Sequence, residues 1–474
     1  VTGAIVFSRI VWHRVVAAAE LAVLVPALLM LSSAPARASV LEEKKMGRTF
    51  ALQAAGQMPT ITDPAVVDFV RGIGNRLVAG LGPQPFDYQF TVVAHPALNA
   101  FAVPGGHIYV FSGLIARAST VGELASVMGH EVAHVDAHHI VRQQQKTQLW
   151  NYASILGMLL SAVQPVLGAG AMAAAQSASL KFSREFEEEA DFLGLRFMDA
   201  GGYDPAAMPA FFEKIVAEQR LNPSGVPPYL LTHPVTQDRI AKAHGALGNL
   251  KRADVPPAPQ TQRDLEEAQT VIVAATSSPD LVVAEYEERV EKNPTDGFVV
   301  YQMGIVYAAT GRFDAARSAF ETARTLDGAR ERLPVRLGAV YFRLGEGALA
   351  KKELEAYLAT HPQDAAAHQV LGRTLLDLHE DPAGIDHLER SVTLDPTLAE
   401  SHRLLGQAYG RGDRQGDGFY HLAKAYELSG KIPAAHSHYV RAADTLDATD
   451  PRQGAILESI EELAELMPTQ RGSR

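Results

Sequence analysis

The sequence predicts two architectures in one chain: an α+β domain, mostly helical with a small β-sheet, followed by an all-α solenoid of paired helices. Three observations predict this. The runs FDYQFTVVAHP and NAFAVPGGHIYVFSGL, residues 86–96 and 99–114, are β-prone, and Gly105-Gly106 divides two short stretches as a hairpin turn does. The segments around them carry apolar residues at helical spacing. Beyond residue 263 everything reads as helix, and Gly304, Gly338, Gly372 and Gly406 recur at a constant interval of 34 residues.

Taken in order, Arg9 and Arg14 precede the apolar run VVAAAELAVLVPALLMLSS, and Ala36 and Ala38 follow as the small residues of a cleavage site. This pattern predicts a secretory signal over residues 1–38, cut after Ala38, and a place in the periplasm, free or against a membrane; the alternative is an uncleaved anchor. A first domain is expected over residues 39–250. It opens with helices in EEKKMGRTFALQAAGQ and PAVVDFVRGIGNRLVAGLG, continues through the strands, and enters a helix from about Val121 to Gln145.

Residues 147–180 carry no charge, but Asn151, Gln164, Pro165 and Gln176 interrupt them. That favours two core or lid helices joined near Pro165 over a membrane-inserted hairpin. KFSREFEEEADFLGLRFMDAGG is again a patterned helix, closed by glycines. A proline-containing polar linker over 251–263, a solenoid over 264–460 and a tail over 461–474 complete the chain.

A formal net charge of −11 lacks the basic field that nucleic-acid binding demands. With no cysteine, the chain can hold a metal ion only through His, Asp or Glu. In the repeat region Met303, Leu337, Leu371 and Leu405 precede the four glycines, with Tyr307, Tyr341, Tyr409, Ala316, Ala350, Phe320 and Leu354 around the same frame. This resembles tetratricopeptide repeats, in which small residues let antiparallel helices approach. Tyr426, Gly430, Ala435, Tyr439 and Ala442 match again, offset by about half a unit, as a shifted capping repeat.

GHEVAHVDAHH, residues 129–139, is the densest group of possible ligands. Residues four apart on a helix are separated by about 400° of rotation and about 6 Å of rise, so His130 and His134 project from one side and can reach one ion. Glu131 stands about 100° round the helix, near that ion without having to bind it. Val127, Met128, Val132 and Ala133 make the helix partly buried, so its polar groups need partners. A catalytic zinc takes three protein ligands and leaves one position open. The extended pattern with a later Gly and His fails, because Ala137 and Ile140 stand there.

SREFEEEAD offers the other common solution, a glutamate from a separate helix. Glu187 and Asp191 lie four apart on one face, so Glu187 could bind the ion while Asp191 accepts a hydrogen bond from a ligand histidine. Glu185, Glu188 and Glu189 are expected on a solvated face. His138 and His139 are expected behind the ligands or facing solvent, and His107 as a strand residue.

HEVAH, SREFEEEAD and the later THPVTQDR together resemble the gluzincin metallopeptidases that include HtpX and the CAAX prenyl endopeptidases. With the signal and the repeats, the resemblance is strongest to their periplasmic branch of β-barrel assembly-enhancing proteases, over roughly residues 40–445. It implies a zincin-like domain and a zinc endopeptidase with one Zn2+ per chain, held by His130, His134 and Glu187, with Glu131 as general base and Asp191 behind a ligand. His233 and Arg239 match the family's downstream element, where a histidine either stabilises the oxyanion or sits on the metal at rest; the local alternative for His233 is a turn residue before Pro234.

The resemblance further implies misfolded or stalled outer-membrane β-barrel precursors as clients, and their assembly machinery as a partner of the repeats. Substrate backbone is expected to add as a strand near Asn99, Phe101 and Gly106. Two other readings stay open: a chaperone or scaffold acting through the repeats, and a membrane-embedded protease using residues 147–180.

Overall fold

A computed structural model of the chain describes residues 40–147, 182–221, 227–250, 252–326 and 330–467. The expected signal and all of the uncharged segment except Thr147 lie outside the described residues. Among those that are described, no helix is long and apolar enough to cross a membrane.

Helices α1 (Val40–Gln57) and α2 (Pro64–Ala79) lead into strands β1 (Gln89–Val93), β2 (Ala100–Val103) and β3 (His107–Phe111). The sheet order is β1-β3-β2, with β1 parallel and β2 antiparallel to β3. The expected hairpin is present. Gly105 and Gly106 turn it with φ of +85° and +97°, a region that costs glycine nothing. Because β3 is central, β2 is left at an edge.

After α3 (Ser112–Arg117), the helix expected over 121–145 is two helices. Helix α4 (Val121–Asp136) stops at Ala137, and α5 (His139–Thr147) starts beyond His138, whose φ of +53° breaks the helical path. No glycine or proline announces this break. At its other end α4 is capped by Thr120, whose hydroxyl accepts from Glu123 N at 3.1 Å.

Helices α6 (Arg184–Ala200), α7 (Ala207–Leu221), α8 (Pro228–Thr232) and α9 (Gln237–Asn249) complete this half. Helix α6 crosses α4 at a glycine pair. A Cβ on Gly194 would stand 3.2 Å from His130 N and 3.3 Å from the Gly129 carbonyl carbon, so the backbones touch beside His130. The segment before α10 (Gln262–Thr276) is held down, with Ala258 N donating to Gly202 O at 3.0 Å and Arg76 donating to Pro256 O at 3.0 Å.

Paired helices follow: α11 (Pro279–Lys292), α12 (Gly297–Ala309), α13 (Phe313–Thr325), α14 (Leu333–Arg343), α15 (Gly347–Leu358), α16 (Ala365–Asp377), α17 (Asp381–Leu394), α18 (Ala399–Arg411), α19 (Gln415–Leu428), α20 (Ile432–Thr445) and α21 (Gln453–Leu466). The 34-residue glycines sit inside α12, α14, α16 and α18. A Cβ on them would come within 2.5–2.7 Å of Phe320, Leu354, Leu388 and Leu422 on the next helix. Gly430 is a different glycine. Its φ of +65° turns the chain between α19 and α20, as Gly311 and Gly345 do before α13 and α15. Helix α19 is thus second helix to α18 and first helix to α20, which is the origin of the half-unit offset.

Helices α1 and α2 lie against this array. Asp63 pairs with Arg336 at 3.1 Å, Asp68 with Arg332 and Arg71 with Asp395 at 2.7 Å, and Arg48 with Glu427 at 3.1 Å and also with Glu462. At Gly56 a Cβ would lie 2.8 Å from Gly430 O, so both positions need glycine for the contact to close.

Candidate metal centre

Helix α4 brings His130, Glu131 and His134 into the core, each 1% exposed or less. Helix α6 adds Glu187 and Asp191, the end of α8 adds His233, and α9 adds Arg239, all buried. His130 Nε2 lies 3.0 Å from His134 Nε2 and 3.3 Å from His233 Nδ1. Glu187 Oε1 is 3.0 Å from His233 Nδ1 and 3.5 Å from His134 Nε2. His130, His134, Glu187 and His233 each offer a ligand atom, all within 4.8 Å of one another.

This cluster fits a divalent cation on two grounds. The first is protons. His130 Nδ1 stands 2.9 Å from Asp191 Oδ1, and a carboxylate that close favours the proton of a neutral His130 on Nδ1, which leaves the Nε2 lone pair toward His134 Nε2 and His233 Nδ1. The second is charge. Glu131, Glu187 and Asp191 are buried with one guanidinium, Arg239, which pairs with the last two, so ionised acids and neutral histidines leave two negative charges uncompensated. Two imidazoles and a carboxylate, with a third imidazole at hand, suit Zn2+.

The same field sets the titration behaviour. Burial alone would lower His130, but Asp191 and Glu187 outweigh it and raise it to about 9. Burial raises Glu187, yet His233, His130 and His134 together hold it well below the usual carboxylate range. Burial pushes Glu131 up. Its carboxylate accepts the Ala102 amide, and Oε1, 3.5 Å from His233 Nε2, has no hydrogen-bond partner among the described residues. Arg239 braces the acids: Nε and Nη2 reach the two Asp191 oxygens at 2.8 and 2.7 Å, while Nη1 reaches Glu187 Oε2 at 2.7 Å and Pro234 O at 2.9 Å.

His130, Glu131, His134, Glu187, Asp191, His233 and Arg239 are therefore brought together. His233 is a cluster member and not simply a turn residue. Asn99 O already accepts Phe111 N at 3.1 Å, and antiparallel alternation turns Phe101 the same way, so Ala100 and Ala102 turn their backbone groups away from β3, the Ala102 amide to the Glu131 carboxylate. The Phe101 ring stacks on Tyr109 at 4.9 Å, and Gly106 O is taken by Gln89 N at 2.9 Å. These contacts tie Phe101 and Gly106 to the sheet.

Glu188 lies on the surface beside Lys242, as expected of that face. Glu189 is half-exposed but paired with His139 and Arg142. His138 pairs with Glu43 at 2.9 Å, and His107 starts β3, its pKa pushed by burial to about 4. Two aromatic residues escaped the sequence reading. Phe182 stacks on His134 at 4.2 Å. Tyr229, 5.0 Å from the His233 ring, buries a hydroxyl without a hydrogen-bond partner among the described residues. The only sequence clue to Tyr229 was its place four residues before His233, one helical turn away.

Residues 69–247 match the model of peptidase family M48, and residues 307–374 match a tetratricopeptide-repeat model. The Beta-barrel assembly-enhancing protease of Yersinia pestis is 34% identical over 247 residues, 50% of this chain and 51% of that protein. Its counterpart in Escherichia coli strain K12 is 32% identical over 230 residues, 47% of each chain. Mitochondrial metalloendopeptidase OMA1 of Arabidopsis thaliana is 38% identical over 152 residues, 32% of this chain and 30% of that one. The chain spans about half the length of the assembly-enhancing proteases it matches. Residues 69–247 are thus a metallopeptidase domain of peptidase family M48, and tetratricopeptide repeats follow it in the same chain.

Proposed function

We propose that the chain is a zinc-dependent endopeptidase of the periplasm that cuts misfolded or stalled outer-membrane proteins in extended segments. The observation that carries this reading is the convergence of His130, His134 and Glu187 beside a buried Glu131 with an unpartnered Oε1. Zn2+ held by those three ligands would act as a Lewis acid on the scissile carbonyl and the attacking water. Glu131 takes the water's proton at Oε1 and passes it to the departing amine, and burial, which raises its carboxyl above the ordinary range, makes it a better proton acceptor than a solvated glutamate.

Substrate backbone pairs with Ala100 and with the Ala102 carbonyl on the β2 edge, the Ala102 amide being held by Glu131, and this selects extended chain over folded chain. His233, with Nδ1 in the cluster, guards the centre at rest and withdraws when substrate enters. The repeats hold a client or the assembly machinery; the names of the Yersinia and Escherichia relatives support that client class.

Zinc content and casein cleavage of Glu131→Gln and His130→Ala test the reading. Glu131→Gln should retain zinc and lose about 10²–10⁴-fold in rate, the span of a general base; His130→Ala should lose both. Zinc and cleavage unchanged in both variants would leave the scaffold reading.

A further inference from the structure

The two histidines of HEVAH are braced differently. His130 turns Nδ1 to a carboxylate, Asp191. His134 turns Nδ1 to another histidine, with His139 Nδ1 at 2.9 Å. The far nitrogen of His139, Nε2, is 3.2 Å from Glu189 Oε2, and Arg142 Nη1 reaches the same oxygen at 3.0 Å. His139 is fully buried and its ring stacks on Phe186 at 4.6 Å and 16°. The positive φ of His138 places it there, since an unbroken helix would carry position 139 past the His134 ring.

The proton order along this row follows from its two ends. His134 Nε2 faces the ligand cluster and has to offer a lone pair, so a neutral His134 carries its proton on Nδ1. His139 Nδ1 then has to accept. A neutral His139 that accepts at Nδ1 carries its own proton on Nε2, where Glu189, paired with Arg142, accepts it. Each link allows one tautomer.

We propose that His139 is a positioning residue for the metal centre: it holds the proton of His134 on Nδ1, and Glu189 acts on the centre only through it. This rests on the metallopeptidase reading. The histidine that binds metal through Nε2 is thus oriented by a neutral acceptor, and Glu189, half-exposed at the end of the row, fixes which nitrogen of that acceptor is free.

The test is zinc affinity by chelator competition on the full chain, with melting temperature as a check on folding. His139→Phe keeps a ring to stack on Phe186 and should weaken zinc about 10–100-fold, the usual effect of losing a ligand's hydrogen-bond partner. His139→Gln, with an amide oxygen to accept, should recover part of the loss. Glu189→Gln should weaken zinc less than His139→Phe, and the two together should be no worse than His139→Phe alone.

In the zinc-loaded protein, imidazole nitrogen NMR should show His134 protonated at Nδ1, and this signal should be lost to solvent exchange in His139→Phe. Zinc affinity within twofold of the parent in His139→Phe overturns the proposal. So does an additive double variant, or a His134 proton unmoved by the change. If the parent and His130→Ala bind zinc equally poorly, the metallopeptidase reading fails and takes this one with it.

Discussion

Arg239→Met isolates the charge logic of the centre. Methionine keeps an apolar stem of similar reach but removes the guanidinium that satisfies both Asp191 oxygens and Glu187 Oε2 at 2.7–2.8 Å in a site where Arg239 is 4% exposed. Two buried carboxylates then lose their one permanently charged partner. Breaking a buried ion pair from one side costs about 3–5 kcal/mol. At about 2–4 °C per kcal/mol for a domain of this size, the melting temperature of the zinc-free protein should fall by about 6–20 °C.

The assay is thermal unfolding in a chelator, followed by calorimetry or tyrosine and tryptophan fluorescence. Adding Asp191→Asn removes one stranded charge, so the double variant should be less destabilised than the sum of the single ones by at least about 1 kcal/mol, as expected of groups in direct contact. A fall under 2 °C, or strict additivity, would refute the account of Arg239 as the counter-charge.

Three further outcomes are expected. His233→Ala should raise casein cleavage severalfold while lowering zinc affinity, because its Nδ1 stands among the ligand atoms; lower cleavage at unchanged zinc would make it an oxyanion donor instead. Gly194→Val should reduce zinc occupancy and stability together, since its Cβ would meet backbone of His130 and Gly129 at 3.2–3.3 Å; retained occupancy would show that the α4–α6 crossing has slack.

Acid should weaken the seating of α1 and α2 on the repeats. Burial raises Asp63, Asp395 and Glu427, but their hydrogen bonds and the cations beside them outweigh it and leave all three below ordinary carboxylate values. Their contribution is therefore complete above the unfolded pKa of about 4 and lost as pH falls through the lower folded values. Melting curves from pH 7 to 3 should be flat and then drop, and Arg336→Met should flatten the drop; a rise on acidification would contradict the sign.

The cluster was legible because helical spacing is a local rule: His130 with His134, and Glu187 with Asp191, are each one turn apart. The repeat glycines were legible for the same reason, each marking the contact with one bulky residue on the next helix. What escaped reading depends on distant chain or on backbone that residue type does not announce. His138 takes a left-handed φ without being glycine, so the split of α4 from α5, and with it the place of His139, had no signal. Which β2 residues turn their backbone away from β3 had no signal either, because strand phase is set by pairing with β3 and leaves no mark in composition. The ion pairs between α2 and the repeats join residues 264 to 324 positions apart, beyond any periodicity.

The grip of the last repeats on α1 has a consequence in time. Arg48 finds Glu427 and Glu462 at sequence separations of 379 and 414 residues, and Leu52 shares a cluster with Ala423, Ala435 and Tyr439. At about 5–20 residues per second, roughly 20–80 s of synthesis separate α1 from the first of these partners. Helix α1 also carries Gly47 against Pro104 O at the β2–β3 turn. Helix α1 therefore gains its full set of neighbours, the β2–β3 turn on one side and the last repeats on the other, only when the final helices have emerged.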